Sequence, residues 1–329
     1  MRDGRRRSLS FGRPTVWLQA GRRPLVGLIL LASVIFGSAL AVVCAQSERR
    51  NPATTSLALA ERALAEGRFD EIATLTEKLD PQDPGVVAIK ARGLIARGRY
   101  EEAEAALRPA AERAPVSEAA LQLGLLGQLL GRPGWAEVLG KVAATAEVAR
   151  TGTDLARAGR ALRALGRFQE ANAVYREAVA AQPQDPALNT AWGELFLEKY
   201  NKREALKSFQ AALKEDGKWV PAMVGAARAL AEDNPPQAGN FIKRVLEVNP
   251  NDVDALLVQA GQAVDTGRRP DARTAIQKAL SVNPSSLEAR SLLAALAYVE
   301  DRTDEFKAEA DKVLAIAPKY GEVFRVAGD

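Results

Sequence analysis

From about residue 54 onward the chain alternates between two kinds of segment. Stretches with apolar residues at helical spacing are broken by short polar turns built around glycine and arginine. Three turns are nearly identical: Gly67-Arg68-Phe69-Asp70-Glu71-Ile72, Gly98-Arg99-Tyr100-Glu101-Glu102-Ala103 and Gly166-Arg167-Phe168-Gln169-Glu170-Ala171. Each closes one helical pattern and opens the next, so the pattern predicts paired helices and no strands. The last residue of each signature marks the repeat: Ile72, Ala103, Ala136, Ala171, Ala205, Ala238, Ala272 and Phe306, spaced by 31, 33, 35, 34, 33, 34 and 34. Prolines keep the same beat at Pro84, Pro115, Pro183, Pro250, Pro284 and Pro318, with Gly217 where another would fall. Proline cannot continue a helix and biases the preceding residue away from helical geometry, so Asn249-Pro250 and Asn283-Pro284 read as helix ends.

A 34-residue helix–turn–helix period resembles the tetratricopeptide repeat (TPR). The resemblance covers residues 54–329. The family's small residue in the first helix matches Ala60, Ala91, Gly124, Gly159, Gly193, Ala226, Ala260 and Ala294. Its small residue in the second helix matches Ala110, Ala143, Ala178, Ala212 and Ala279. The large residue between them matches Leu107, Tyr175, Phe209, Ile242 and Ile276. Small residues let two helices approach, and the large one fills the remaining gap. The fold implied is all-α: a right-handed superhelical solenoid of about eight repeats, with the first helices lining a concave face.

Two units depart from the pattern: the first, with Ile72, Thr76 and Leu79 at its three second-helix positions, and the third. The third, roughly 116–150, has Pro133-Gly134 in its turn, Gly140 where the large residue belongs, and no closing proline. It is expected to be looser, or a joint between sub-arrays. After Pro318, the run from Tyr320 to Gly328 resembles the first helix of a ninth unit. A solenoid normally closes on a polar cap, so a fragment, or an end covered by a partner, is expected.

The beginning of the chain has another character. Arg22-Arg23 precede an uncharged stretch, Leu25 to Val43, that ends at Cys44-Ala45. Basic start, apolar middle and small-residue exit describe a secretory signal over residues 1–45. Residues 25–43 are also nearly long enough for an uncleaved membrane anchor. Either reading exports the body to the periplasm or cell envelope, with 46–53 as a linker. Val43 before Cys44 argues against a lipoprotein signal, and the distance from Arg6-Arg7 to the apolar run argues against a twin-arginine signal.

Charge and composition then narrow the function. The net charge of +4 suggests a polyanion partner. Yet residues 1–45 hold seven arginines and one acid, and the rest of the chain has 38 basic and 40 acidic residues, a net of −2. Nucleic acid is therefore not an expected partner. The chain has no histidine and one cysteine, which excludes histidine-based triads, zinc sites of the His-Glu-x-x-His kind and an intrachain disulfide. Gly140-Lys141 lacks the spacing and the hydroxyl of a phosphate-binding loop. No cofactor or metal is expected, and the chain is not read as an enzyme.

What remains is binding of other proteins or peptides. Helical spacing places Arg92, Arg160 and Arg163 toward one end of the expected groove. Glu194, Glu198, Asp254, Asp265 and Glu288 lie further along, with Met223, Leu230, Leu257, Val264 and Tyr298 as apolar candidates. The expectation is a groove with a basic end and an acidic end. A TPR sub-class grips a terminal carboxylate through asparagines, but the matching positions here are Glu61, Arg92, Leu125 and Arg160, so that role is not implied. The leading reading is a non-catalytic scaffold in the cell envelope. The alternative is the repeat arm of a larger exported hydrolase or peptidase whose catalytic domain lies beyond Asp329.

Overall fold

The computed structural model describes residues 52–328, Arg150 excepted. The expected signal or anchor, including residues 25–43, lies outside the described residues, as does most of the expected linker. The described residues form one compact unit. Among the described residues there are seventeen α-helices and no strand. None is long and apolar enough to cross a membrane.

The helices pair as α1 (Pro52–Ala65) with α2 (Phe69–Leu75), α3 (Pro84–Ile95) with α4 (Tyr100–Arg113), α5 (Glu118–Leu129) with α6 (Trp135–Ala143), and α7 (Gly152–Ala164) with α8 (Phe168–Ala181). The series continues as α9 (Pro186–Glu198) with α10 (Lys202–Glu215), α11 (Val220–Leu230) with α12 (Pro235–Val248), α13 (Val253–Asp265) with α14 (Arg269–Val282), and α15 (Leu287–Val299) with α16 (Thr303–Ile316). The last helix, α17 (Glu322–Gly328), packs on α15 as a further first helix. Each first helix also touches the next first helix, so the eight hairpins stack as a solenoid.

Local chemistry sets the ends of these helices. First helices begin behind side-chain caps: Asp83, Asp185 and Asp252 accept from backbone N–H groups of the first turn, and Ser117 and Ser286 do the same. These groups have no partner within the helix, so a cap there contributes about 1 kcal/mol. The turn glycines Gly67, Gly98, Gly166 and Gly267 hold φ of +71° to +73°. There the residue after glycine donates to a carbonyl five residues back, as Arg99 N–H does to Leu94 O. This is the left-handed helix ending that favours glycine. Units five and eight make the same turn with Tyr200 and Asp301, both at φ +56°.

The core is a row of knobs against small residues. A Cβ on Gly193 would stand 2.6 Å from the Phe209 ring, and one on Gly159 2.9 Å from Tyr175. Phe209 also lies against Gly225 of the following unit, so one fully buried ring joins two hairpins. The third unit is not a loose joint. Leu139, one residue before Gly140, fills the gap beside Gly124, and the core runs on through Val142 into Leu162 and Tyr175. Its second helix is short and ends in a single 3₁₀ turn, Ala144–Glu147.

The array winds far enough to meet itself. The turn of unit one lies under Asn249, the turn of unit two under Asn283 and Ser285, and the turn of unit three beside Lys319. Arg62 of α1 pairs with Asp216 at the end of α10 at 2.7 Å. The concave face is therefore the wall of a narrow bore, closed along one side by this seam.

Candidate functional site

The bore wall comes from first helices, because these lie inward while second helices cover the outside. Its polar side chains form a ladder between hairpins. Arg92 of α3 donates to Glu61 of α1 at 2.6 Å. Arg160 of α7 donates to Glu118 of α5 at 3.0 Å. Arg163 of α7 donates to Glu198 of α9 at 2.7 Å and stands 3.6 Å from Glu194, which is also 3.6 Å from Arg228 of α11. These side chains keep partial solvent contact, so each pair contributes about 0.2–1 kcal/mol. Their larger effect is on the field in the bore. Burial opposes the Glu118 charge, but Arg160 and Arg92 together hold its pKa below the usual carboxylate range.

The expected basic end is therefore absent: Arg92, Arg160 and Arg163 are each neutralised by a carboxylate of an adjacent hairpin. The sequence reading missed Glu118 and Arg228. Glu118 stands at the start of its first helix, six residues before the small residue Gly124. Asp254, Glu288 and Glu322 hold that same register at 34-residue intervals. Periodicity therefore could have found Glu118.

Around units seven and eight the bore carboxylates have no such close pairs, although Arg92 of unit two lines a cavity with Asp254 and Glu288 across the seam. Asp254 of α13 and Glu288 of α15 form no salt bridge or side-chain hydrogen bond among the described residues, whereas Glu322 pairs with Arg325. Both open into the bore with Arg228, Leu257, Ser291 and Tyr320, around a cavity of about 600 Å³. The Glu288 carboxyl is reached by solvent, yet the wall surrounds it. Burial raises its pKa, Asp254 and Glu322 add to the rise, and Arg228 opposes it. Asp252 is pushed up to about 6, first by burial and then by Asp254. Carboxylates in this state gain from any cation brought among them.

The other candidates divide. Leu257 lines the bore. Met223 does not: it is 1% exposed and packs in the core with Val220, Ile242 and Val245. It faces the second helix of its own unit rather than the bore, as does Leu230. Val264 packs in the core around Ile276. Asp265 is exposed at the end of α13, outside the bore cavities. Tyr298 is exposed at the end of α15 and tilts against Phe306, 5.7 Å between centroids. Asp265 and Tyr298 sit near helix ends, on the edge that carries the turns.

Comparison with known proteins agrees with this architecture. One tetratricopeptide-repeat family model matches residues 154–195 and a second matches residues 257–320. No curated protein sequence matches the chain. Among solved structures, a tetratricopeptide repeat protein from Parabacteroides merdae is 15% identical. The match covers 75% of this chain and 98% of that one, with a TM-score of 0.52. A thermophilic TPR protein from Thermus thermophilus is 25% identical over 54% of this chain and 98% of its own, with a TM-score of 0.49.

Proposed function

Given that the chain is a tetratricopeptide-repeat protein, we propose that it is a protein-interaction scaffold whose bore takes a cationic segment of a partner protein at the Asp254–Glu288 end. Repeat arrays of this kind present extended concave surfaces to other proteins. The observation that carries the choice of partner is the unequal charge of the bore. Its arginines are matched by Glu61, Glu118, Glu194 and Glu198. Two carboxylates of units seven and eight, Asp254 and Glu288, lack such a close match, and burial with the charge of Asp254 opposes ionisation of Glu288. A lysine or arginine placed between them favours the charged form and replaces the water lost on entry. Leu257, Leu292 and the Tyr320 ring supply apolar wall for the stem of such a side chain.

The test uses a fluorescent nona-arginine peptide and fluorescence anisotropy. Binding is expected to weaken as salt rises, and Asp254→Lys combined with Glu288→Lys is expected to abolish it. Arg160→Glu with Arg163→Glu is expected to leave it intact or strengthen it. Equal binding by wild type and the Asp254/Glu288 variant would remove the basis for this reading. We also propose export of the scaffold to the cell envelope, supported by Arg22-Arg23 ahead of the uncharged stretch Leu25–Val43. Cell fractionation tests it, and recovery of the intact chain in the cytosol alone refutes it.

A further inference from the structure

Successive hairpins are joined by buried apolar knobs such as Phe209, but the seam is built differently. Its first step is the Arg62–Asp216 ion pair, followed by the turn of Gly67 under Asn249. Its second is a small polar cluster. Tyr100 Oη donates to Ser285 O at 3.2 Å, and Asn283 Nδ2 donates to Ile95 O at 3.4 Å. Its third sets Gly131 beside Lys319 and Ile316 against the cluster of Leu126 and Leu130. Between the two sides lies a cavity of about 410 Å³, with Phe69, Leu129 and Arg92 on one flank and Val253, Val282, Asp254 and Glu288 on the other. Neutral hydrogen bonds of this length contribute about 0.5–1.5 kcal/mol each net of water, and a half-exposed ion pair no more. A contact surface that is largely polar, with one apolar contact at Ile316 and an unfilled cavity behind it, opens before the hairpin stack does. The stack needs only a small rotation per hairpin to part the two sides, because such rotations add along a solenoid.

We propose that the seam is a latch. Closed, as in this structure, it walls the bore along its side. Released, it lets units one to three move away from units six to eight, so that a partner chain enters laterally instead of threading from an end. The entry of a cationic partner rests on the function proposed above; the opening itself does not.

Two arms separate these claims. Both use full-length protein with Cys44→Ser. In the first, spin labels on Glu71→Cys and Glu247→Cys, exposed positions on either side of the seam, report the distance across it. Asn283→Asp keeps the acceptor that Ser285 N–H uses at the corner but removes the donor to Ile95 O. Arg62→Glu reverses the ion pair. Together they are expected to move the main distance population outward by 10 Å or more, with far-ultraviolet circular dichroism unchanged. If the double variant loses helicity, Arg62→Glu alone is measured. A distribution identical to that of the parent in a folded variant overturns the latch.

In the second arm, Arg62→Cys and Asp216→Cys are joined by a disulfide-containing bismaleimide, a cross-linker long enough for an arginine–aspartate span and cleavable by reduction, to lock the seam. The probes are nona-arginine and the same peptide with a folded domain fused at each end, which cannot thread. The locked protein is expected to bind the free peptide and to reject the double-ended probe by tenfold or more, with reduction restoring binding. Equal capture of the double-ended probe in locked and reduced forms overturns lateral entry. Failure of the free peptide to bind either form overturns the cationic-partner reading and leaves the distance arm to decide the latch.

Discussion

Replacing Asp252 by asparagine isolates the electrostatic cost of the acidic end of the bore. Asp252 caps α13 by accepting from Ala255 N–H at 2.9 Å, and Asn249 Nδ2 donates to it at 3.3 Å. Burial and Asp254 raise its pKa from 3.8 to about 6. At 1.36 kcal/mol for each tenfold change in proton affinity, that rise corresponds to at most about 3 kcal/mol of stability. Asp252 keeps some solvent contact, so screening reduces the figure to ~1–2 kcal/mol. Below pH ~4 the carboxyl is protonated in both folded and unfolded chains and no penalty exists. Between pH ~4 and ~6 the unfolded chain releases the proton while the folded chain holds it, so stability falls as pH rises. Above pH ~6 the loss is complete. Asparagine caps a helix as well as aspartate does and carries no charge. Asp252→Asn forfeits the hydrogen bond from Asn249 at every pH, so the readout is a change between two pH values. Urea unfolding followed by circular dichroism at pH 4.0 and pH 7.5 is expected to show the variant gaining ~1–2 kcal/mol on the wild type across that interval. A stability difference that is the same at both pH values refutes the reasoning, and so does a relative loss at pH 7.5.

Two further substitutions test the packing and the turns. A Cβ on Gly225 would stand inside contact distance of the Phe209 ring, with its own helix and Gly193 behind. Gly225→Ala is therefore expected to cost about 1–3 kcal/mol through overpacking, read as a lower urea midpoint, although alanine normally favours helix; an unchanged midpoint would show that the ring can retreat. Tyr200 holds φ +56° with its side chain 89% exposed, so Tyr200→Gly relieves backbone strain at little loss of packing. A gain of about 1 kcal/mol is expected in thermal unfolding, and a lower Tm would contradict it.

The fold was legible because the residues that build it are repeated. A glycine in the left-handed turn, a small residue against a ring and a proline at six of the eight corners recur in register, and each constrains the backbone locally. Where the register slipped, the reading slipped with it. Gly140 occupied the position of the large residue, but Leu139 beside it fills the space. The bore was harder to read because charge depends on pairs. Arg160 and Glu118 are 42 residues apart, and Arg163 and Glu198 are 35 apart. A positive residue on one first helix says little until the facing carboxylate on the next is identified. Met223 illustrates a second limit. Helical spacing separates faces of one helix, but α11 is covered on more than one side, and apolar character alone does not tell core from wall. The seam was not legible at all, since it joins residues about 185 positions apart through contacts whose geometry depends on the winding of every hairpin between them.

That winding also meters the array. Turns one, two and three meet the corners that close units six, seven and eight, each offset by the same number of hairpins. Open solenoids lengthen or shorten by whole copies at little cost, since every copy touches only its neighbours. Here, deleting or duplicating any hairpin between the two sides carries all three junctions past their mates together. The copy number thus becomes a dimension of the molecule, fixed as the circumference of a hoop is fixed by where its ends overlap.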